Sequence, residues 1–278
     1  MKLTAQNYGK QRVRVLKVLR ATPRHEVKEV GFGVRLEGDF ETSYTAGDNS
    51  RVVPTDTMKN TVHALAHQHL GPQTEQFAAL LAGHFLKNYP QVSRVTIEAS
   101  EQRWQRLEVD GQPHDHAFTG REGRPTVLVT AARGGAAVIE SGIEDLLIMK
   151  STGSGFAGYP KCAYTTLPET TDRVFATSLR AAWRWSAPPP DFAAANAALL
   201  DAMLAVFAKN YSPSVQTTLY EMAGAALAAV PQVARISLAM PNKHYLPANL
   251  KPFGLDGTGV SFVPTDDPHG QIEATISR

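Results

Sequence analysis

The segment His63-Ala-Leu-Ala-His67-Gln-His69 offers the first candidate chemistry. On a helix, His63 and His67 are four apart and share a face, a spacing that metal ligands use. Ala64 stands where a zincin helix carries its catalytic glutamate, so surface or interface histidines are the simpler reading. In His114-Asp115-His116 the two imidazoles share one face of a strand, and a structural hydrogen-bonding role outweighs a metal there. The polar stretch Lys150–Arg173 holds five Thr and three Gly, sets Phe156 among small residues and ends on Arg173. One aromatic and one fixed cation suit a flat, polar or anionic molecule, although a surface connection fits the composition equally well. Four further polar stretches are not demanded by packing: Tyr8-Gly9-Lys10, Asp48-Asn49-Ser50 through Thr55-Asp56, Ser214-Val215-Gln216 and Pro241-Asn242-Lys243-His244-Tyr245. Thr55-Asp56 and Val215-Gln216 fall at matching helix starts, one in each half, where free N–H groups suit an anionic or carbonyl-bearing ligand. Gly31-Phe32-Gly33 lies inside a strand, and Gly153-Ser154-Gly155 lacks the spacing of a nucleophile elbow.

These residues must be held by regular elements. Alternation of Val13 and Val15 with arginines, then of Val30, Phe32, Val34 and Leu36 with Gly and charge, predicts two antiparallel strands within residues 11–36. A helix follows over Asp56–His69, capped by Thr55 or Asp56 and closed by Gly71-Pro72. A second helix carries Phe77, Leu80, Leu81 and Phe85 and stops before Pro90. Then come a strand at Pro90–Ala99, a hairpin about Asp110-Gly111 and a strand at Thr126–Thr130. The second half predicts strands at 136–140, 145–149 and 174–185. Two helices follow, one bearing Leu199, Leu200, Met203, Leu204 and Phe207, the other opened by Ser212-Pro213. Strands at 231–240, 260–263 and 272–276 complete it. The Pro-Gln-Val-x-Arg opening of residues 90–99 returns at 231–240, in each case after two helices and before a strand pair. A duplicated ββααββ unit is the organisation this implies, with units at 1–134 and 135–278 joined at Arg133-Gly134-Gly135. The fold class is α+β, an antiparallel sheet with its helices on one face. Its free edges invite oligomerisation or closure into a barrel.

With 278 residues, 43% hydrophobic and 19% charged, the chain is globular. A net charge of +2, with basic residues dispersed, argues against nucleic acid or a membrane surface as partner. The single Cys162 leaves neither an intramolecular disulfide nor a cysteine zinc cluster. No apolar stretch approaches membrane-spanning length, no signal-peptide h-region opens the chain, and Thr275-Ile276-Ser277-Arg278 is not a peroxisomal address, so a cytoplasmic location is the expectation.

Five stretches carry a family resemblance: NYGKQRVRV (Asn7–Val15), DNSRVVPTDTMKNT (Asp48–Thr61), KSTGSGFAGY with YTTLPETTDR in Lys150–Arg173, SPSVQTTLYEMA (Ser212–Ala223) and MPNKHYL (Met240–Leu246). Together they resemble the urate oxidase (uricase) family of the tunnelling fold, in the family's order across both halves. The hairpin Gly111-Gln-Pro-His114-Asp-His116 also matches, which favours a framework role for its histidines. The resemblance implies two tandem tunnelling-fold units, a homotetramer whose sheets close into barrels, and active sites between subunits. It implies cofactor-free oxidation of urate by dioxygen and water to 5-hydroxyisourate and hydrogen peroxide. Carried over by position, Phe156 stacks on the purine while Arg173 and Gln216 grip its edges. The backbones of Val215 and Asp56 add polar contacts. Lys10 and Thr55 of a neighbouring subunit form a proton relay with His244 close by, and Asn242 holds dioxygen or water. An ammonium must lose its proton before it can act as a base, so burial or neighbouring charge has to favour the amine. Cys162 stands where the family usually has an acidic residue. A purine or pterin enzyme using His63, His67 or His114 for a metal, and a non-catalytic purine-binding oligomer, are the alternatives.

Overall fold

The computed structural model describes residues 1–255 and 259–278. The chain forms two compact units, Met1–Gly142 with Pro188–Ala193, and Ile143–Ala187 with Ala194–Arg278.

In the first unit the elements run β1 (Tyr8–Leu19), β2 (Glu26–Gly38), a short α1 (Glu41–Thr45), α2 (Thr55–His69), α3 (Thr74–Asn88), β3 (Val92–Val109), β4 (Gln112–Arg121) and β5 (Arg124–Ala132). The strands pair antiparallel in the order β1-β2-β3-β5. The alternating Val30, Phe32, Val34 and Leu36 of β2 are fully buried, as are Met58, Val62 and Ala66 of α2 and Leu81 and Phe85 of α3. The Phe32 and Phe77 rings meet edge to face at 5.2 Å, which seats α3 on the sheet. The sequence predicts two strands where β3 is one. Ser100–Arg103 continues it in polar residues because the partner backbone is present, with Glu29 opposite Gln102. Its outer part pairs with β4 through a two-residue turn in which Asp110 (φ 53°) and Gly111 (φ 73°) are both left-handed.

The second unit holds most of β6 (Val138–Lys150), then β7 (Phe175–Trp185), α4 (Phe192–Lys209), α5 (Val215–Ala229), β8 (Val233–Ala239), β9 (Asn242–Pro247), a 3₁₀ turn at Lys251–Phe253, β10 (Phe262–Gly270) and β11 (Glu273–Ser277). β8 lies between β7 and β11; the start of β7 also pairs with β9, and β9 with β10. Leu219, Met222, Ala223 and Ala226 of α5 are buried, as are Ile236 and Leu238 of β8. Contrary to the sequence expectation, α4 is long and apolar enough by composition to span a membrane. Much of that apolarity is alanine, and its buried stripe of Leu199, Met203 and Phe207 reaches the sheet, Phe207 lying 5.1 Å from the Phe175 ring. Two expected strands at 136–140 and 145–149 are the single β6, which runs on through Asp145 although its φ is 54°.

The duplication is written in the hydrogen bonds. Arg133 donates to the carbonyls of Leu86, Tyr89 and Val92, where α3 turns into β3. Arg278 donates to those of Leu227, Val230 and Val233, where α5 turns into β8. Lys17 Nζ caps the end of α2 at the Leu70 carbonyl (2.8 Å), and Lys150 Nζ caps the end of α4 at the Asn210 carbonyl (2.7 Å). At one constant offset, Gly9, Arg12 and Lys17 of β1 correspond to Gly142, Asp145 and Lys150 of β6, Arg12 (φ 56°) and Asp145 sharing the left-handed conformation.

Candidate functional site

Lys10, Thr55 and Asp56 belong to the first unit. Lys10 is half-buried on β1, opposite Val34 and just before the irregularity at Gln11–Arg12. Gly9 beside it must be glycine, because a Cβ there would lie 1.9 Å from the Val34 carbonyl oxygen. β1 and α2 run side by side in one direction: seven strand residues from Lys10 to Lys17 rise about 23 Å, and fifteen helix residues from Thr55 to Leu70 rise about 22 Å. With Lys17 bound at the helix end, Lys10 lies at the helix start. The Asp56 carboxyl agrees, its pKa held below the usual range mainly by the Lys59 ammonium and further by the charge of Lys10. Asp56 also accepts from Asn60 Nδ2 at 2.8 Å, so its side chain folds along its own helix. Neither Thr55 nor Asp56 is the cap: Pro54 is, and it offers no side-chain bond. The Thr55 hydroxyl is exposed and has no hydrogen-bond partner among the described residues.

Phe156, Arg173, Val215, Gln216, Asn242 and His244 belong to the second unit. The loop between β6 and β7 is built on Asp172. Its carboxylate accepts from Thr152 Oγ1 and the Gly153 N–H, each at 2.9 Å, and closes the loop's two ends together. Phe156 and Thr170 exchange backbone hydrogen bonds of 2.8 and 3.0 Å. The guanidinium carbon of Arg173 lies 5.5 Å from the Phe156 ring centroid. Burial lowers the Arg173 pKa, while a guanidinium still keeps its proton at neutral pH. Phe156 is not isolated: the Tyr159 ring stacks on it at 4.8 Å and 16°.

The same loop is bonded to the start of α5. The Gly155 N–H donates to the Ser212 carbonyl (2.8 Å), and the Ser212 N–H donates to that of Gly153 (2.9 Å). Thr218 Oγ1 donates to Ser212 Oγ (2.7 Å), which donates to the Ser214 carbonyl (3.1 Å). Ser214 is the cap and accepts from the Thr217 N–H at 3.1 Å; Pro213, expected at the first helical position, precedes it. The N–H groups of Val215 and Gln216 therefore stand at an open helix start, joined by backbone to the loop of Phe156 and Arg173. Thr55 and Val215 are not matching positions, since Thr55 opens the first of the two long helices of its unit and Val215 the second. Asn242 opposes Thr177 at the start of β7, four residues beyond Arg173, and His244 follows on β9 opposite Thr265. β9 itself was read from sequence only as a polar stretch.

The structure thus collects the expected residues into two groups, Lys10 with the start of α2 and Arg173–Phe156 with the start of α5. His63, His67 and His69 lie exposed on α2. His114 and His116 pack ring to ring at 4.7 Å, with Arg106 bonded to the His114 carbonyl. Among the described residues no group of three or more His, Cys, Asp or Glu is arranged to hold a metal ion. Sequence reasoning missed Asp172, Tyr159 and the Ser212 hydroxyl. Only the Ser-x-Ser spacing before α5 hinted at any of them.

A family model described as uricase matches residues 6–130 and 139–273. Uricase of Arthrobacter globiformis is 41% identical over 271 residues, covering 98% of this chain and 88% of that protein. Uricase of Oryctolagus cuniculus is 40% identical over 278 residues, covering 98% and 93%. A crystal structure of the A. globiformis uricase superposes with a TM-score of 0.94 at 40% identity, covering all of this chain and 95% of that one.

Proposed function

This chain belongs to the uricase family, and we propose that it oxidises urate with dioxygen and water to 5-hydroxyisourate and hydrogen peroxide without a cofactor. The observation that carries the reading is the pairing of Arg173 over Phe156 beside the open start of α5. A flat anionic purine stacks on Phe156. Arg173 supplies a two-pronged charged fork, Gln216 a side-chain amide, and Val215 a backbone N–H. Dioxygen reacts poorly with closed-shell molecules, so urate itself must be the electron donor, and its dianion donates best. Lys10, as the amine, takes the second urate proton through the Thr55 hydroxyl, with the Asp56 backbone against the substrate. The dianion then gives two electrons to dioxygen, which takes up two protons, one returned from Lys10 through Thr55 and one from solvent, to form hydrogen peroxide, and water adds to the oxidised ring. Asn242 holds dioxygen or that water, and His244 stands next to Lys10. Lys10 and Thr55 act from one subunit of a homotetramer and Phe156, Arg173 and Gln216 from another, which fits their division between two units of the chain.

The test is purified protein with chelator and no added cofactor, followed by ultraviolet absorbance, an oxygen electrode and a peroxide assay. Urate's band bleaches with matched consumption of dioxygen and release of peroxide. A persistent band, or activity abolished by the chelator, overturns the reading. Lys10→Met and Thr55→Ala lose turnover by about two orders of magnitude while purine binding is retained.

A further inference from the structure

We propose that Tyr8 is a positioning residue that sets the geometry between Lys10 and Thr55; the inference rests on the reading of those two as the proton relay. Tyr8 lies two residues before Lys10 on β1, so the two side chains leave the strand on the same side. Its hydroxyl accepts the Val53 N–H at 2.8 Å. Val53 is buried, and only Pro54 separates it from Thr55, the first residue of α2. A single hydrogen bond therefore ties the strand that carries Lys10 to the segment that delivers Thr55.

Neither end of that tie has room to drift. The Tyr8 ring stands edge-on to Phe40 at 4.9 Å and 88°, and Phe40 is fully buried. Gly9 is pressed against the Val34 carbonyl, which fixes the backbone between Tyr8 and Lys10. Pro54 enters the helix with φ −57°, leaving little freedom between Val53 and Thr55. At the far end Lys17 holds α2 through the Leu70 carbonyl. The helix is thus fixed to β1 at both ends, and the end beside the relay is fixed by the Tyr8 hydroxyl.

The duplicated strand supplies an internal comparison. On the alignment set by Gly9/Gly142, Arg12/Asp145 and Lys17/Lys150, Lys10 corresponds to Ile143 and Tyr8 to Ser141. Ile143 is a buried apolar residue, and the Ser141 hydroxyl bonds the buried Glu75 at 2.6 Å. The copy that keeps the glycine, the left-handed residue and the capping lysine has lost the relay lysine and the tyrosine together. The device shared by both strands is architectural; the tyrosine goes with the chemistry.

The experiment is a double-mutant cycle on kcat with Tyr8→Phe and Thr55→Ala in the assembled enzyme, measuring KM, binding of a non-oxidised purine and the pH profile. Tyr8→Phe lowers kcat about ten-fold, the worth of one hydrogen bond. It displaces the pH profile of kcat, leaves KM and purine binding within about two-fold, and adds nothing in the Thr55→Ala background. The inference is overturned if Tyr8→Phe leaves kcat unchanged while Thr55→Ala lowers it. It is overturned equally if the two losses multiply, or if kcat, binding and thermal midpoint fall together. Full kcat in Thr55→Ala overturns the relay reading itself, and the inference with it.

Discussion

The guanidinium of Arg173 lies over the ring of Phe156, 5.5 Å from its centroid. The cation and the aromatic face are therefore held in one arrangement before any ligand arrives. Asp172, next in sequence to Arg173, takes no part in that contact. It closes the loop on Thr152 and Gly153 and leaves the guanidinium free to face a ligand.

Arg173→Ala weakens binding of a non-oxidised purine by about ten- to a hundred-fold, because a charged, two-pronged hydrogen bond is lost. Arg173→Lys keeps the charge without the fork and falls between. Phe156→Leu keeps the loop but loses the stack, for about a five-fold weakening. Equilibrium titration of the three variants checks the order. Equal losses for Arg173→Lys and Arg173→Ala leave the fork essential, whereas no loss for Arg173→Lys reduces Arg173 to a point charge.

Gly155 is the loop's tightest position. A Cβ there would lie 2.2 Å from the Tyr211 hydroxyl and 2.9 Å from the Thr170 carbonyl oxygen. Tyr211 itself donates to the Thr171 carbonyl at 2.9 Å and so cannot swing away without cost. Gly155→Ala displaces the strand pair Phe156–Thr170, raising KM several-fold and destabilising by about 1–3 kcal/mol. Adding Tyr211→Phe restores part of the loss, since the Thr170 carbonyl stays in place. Steady-state kinetics and thermal midpoints of both variants read this directly.

Elements with a clean period were legible in the sequence. Val30, Phe32, Val34 and Leu36 alternate because β2 buries one face, and the polar start at Thr55-Asp56 with the Gly71-Pro72 stop placed α2 to within a residue. Ser100–Arg103 reads as a break only because its side chains are polar, whereas its backbone is paired to β2 through Gln102 and to β4 at Arg103. Asn242–Tyr245 has no alternation, so β9 reads as loop. Of the duplication, one short motif was visible. The left-handed residues at Arg12 and Asp145 are different amino acids and neither is glycine, so their shared conformation did not show in the residue types. The positions of Lys10, Thr55, Phe156 and Arg173 came from family resemblance. The groups that hold them could not be read: Tyr8 reaches a backbone N–H forty-five residues away, and Asp172 binds across the whole loop.

Tyr8 also makes a prediction about pH. Burial raises its phenol above the ordinary value near 10, outweighing the Val53 N–H that favours the phenolate. A raised pKa in the folded state contributes stability that is complete below the unfolded value and is lost as pH rises through the folded one. The Val53 hydrogen bond makes wild type more stable than Tyr8→Phe at neutral pH, and the difference shrinks above pH 10. Urea midpoints of the two proteins from about pH 8 to about pH 11 test it, other titrations cancelling in the comparison. A difference constant across that range is incompatible with a buried phenol.

Arg133 and Arg278 provide the most direct test of the duplication, because each gathers three carbonyls at the same turn of its own unit. Truncating either removes a donor shared by three carbonyls at a helix end, of which Tyr89 and Val230 each keep one backbone N–H. Arg133→Ala and Arg278→Ala should each cost about 1–3 kcal/mol, read as thermal unfolding at fixed protein concentration. The lysine variants recover only part, since one ammonium cannot reproduce the planar spread of a guanidinium. The two sites share no partner, so the double variant is additive within about 0.5 kcal/mol. A large loss at one site and none at the other would mean that only one copy still uses the device, and that the symmetry seen in the hydrogen bonds is not matched in energy.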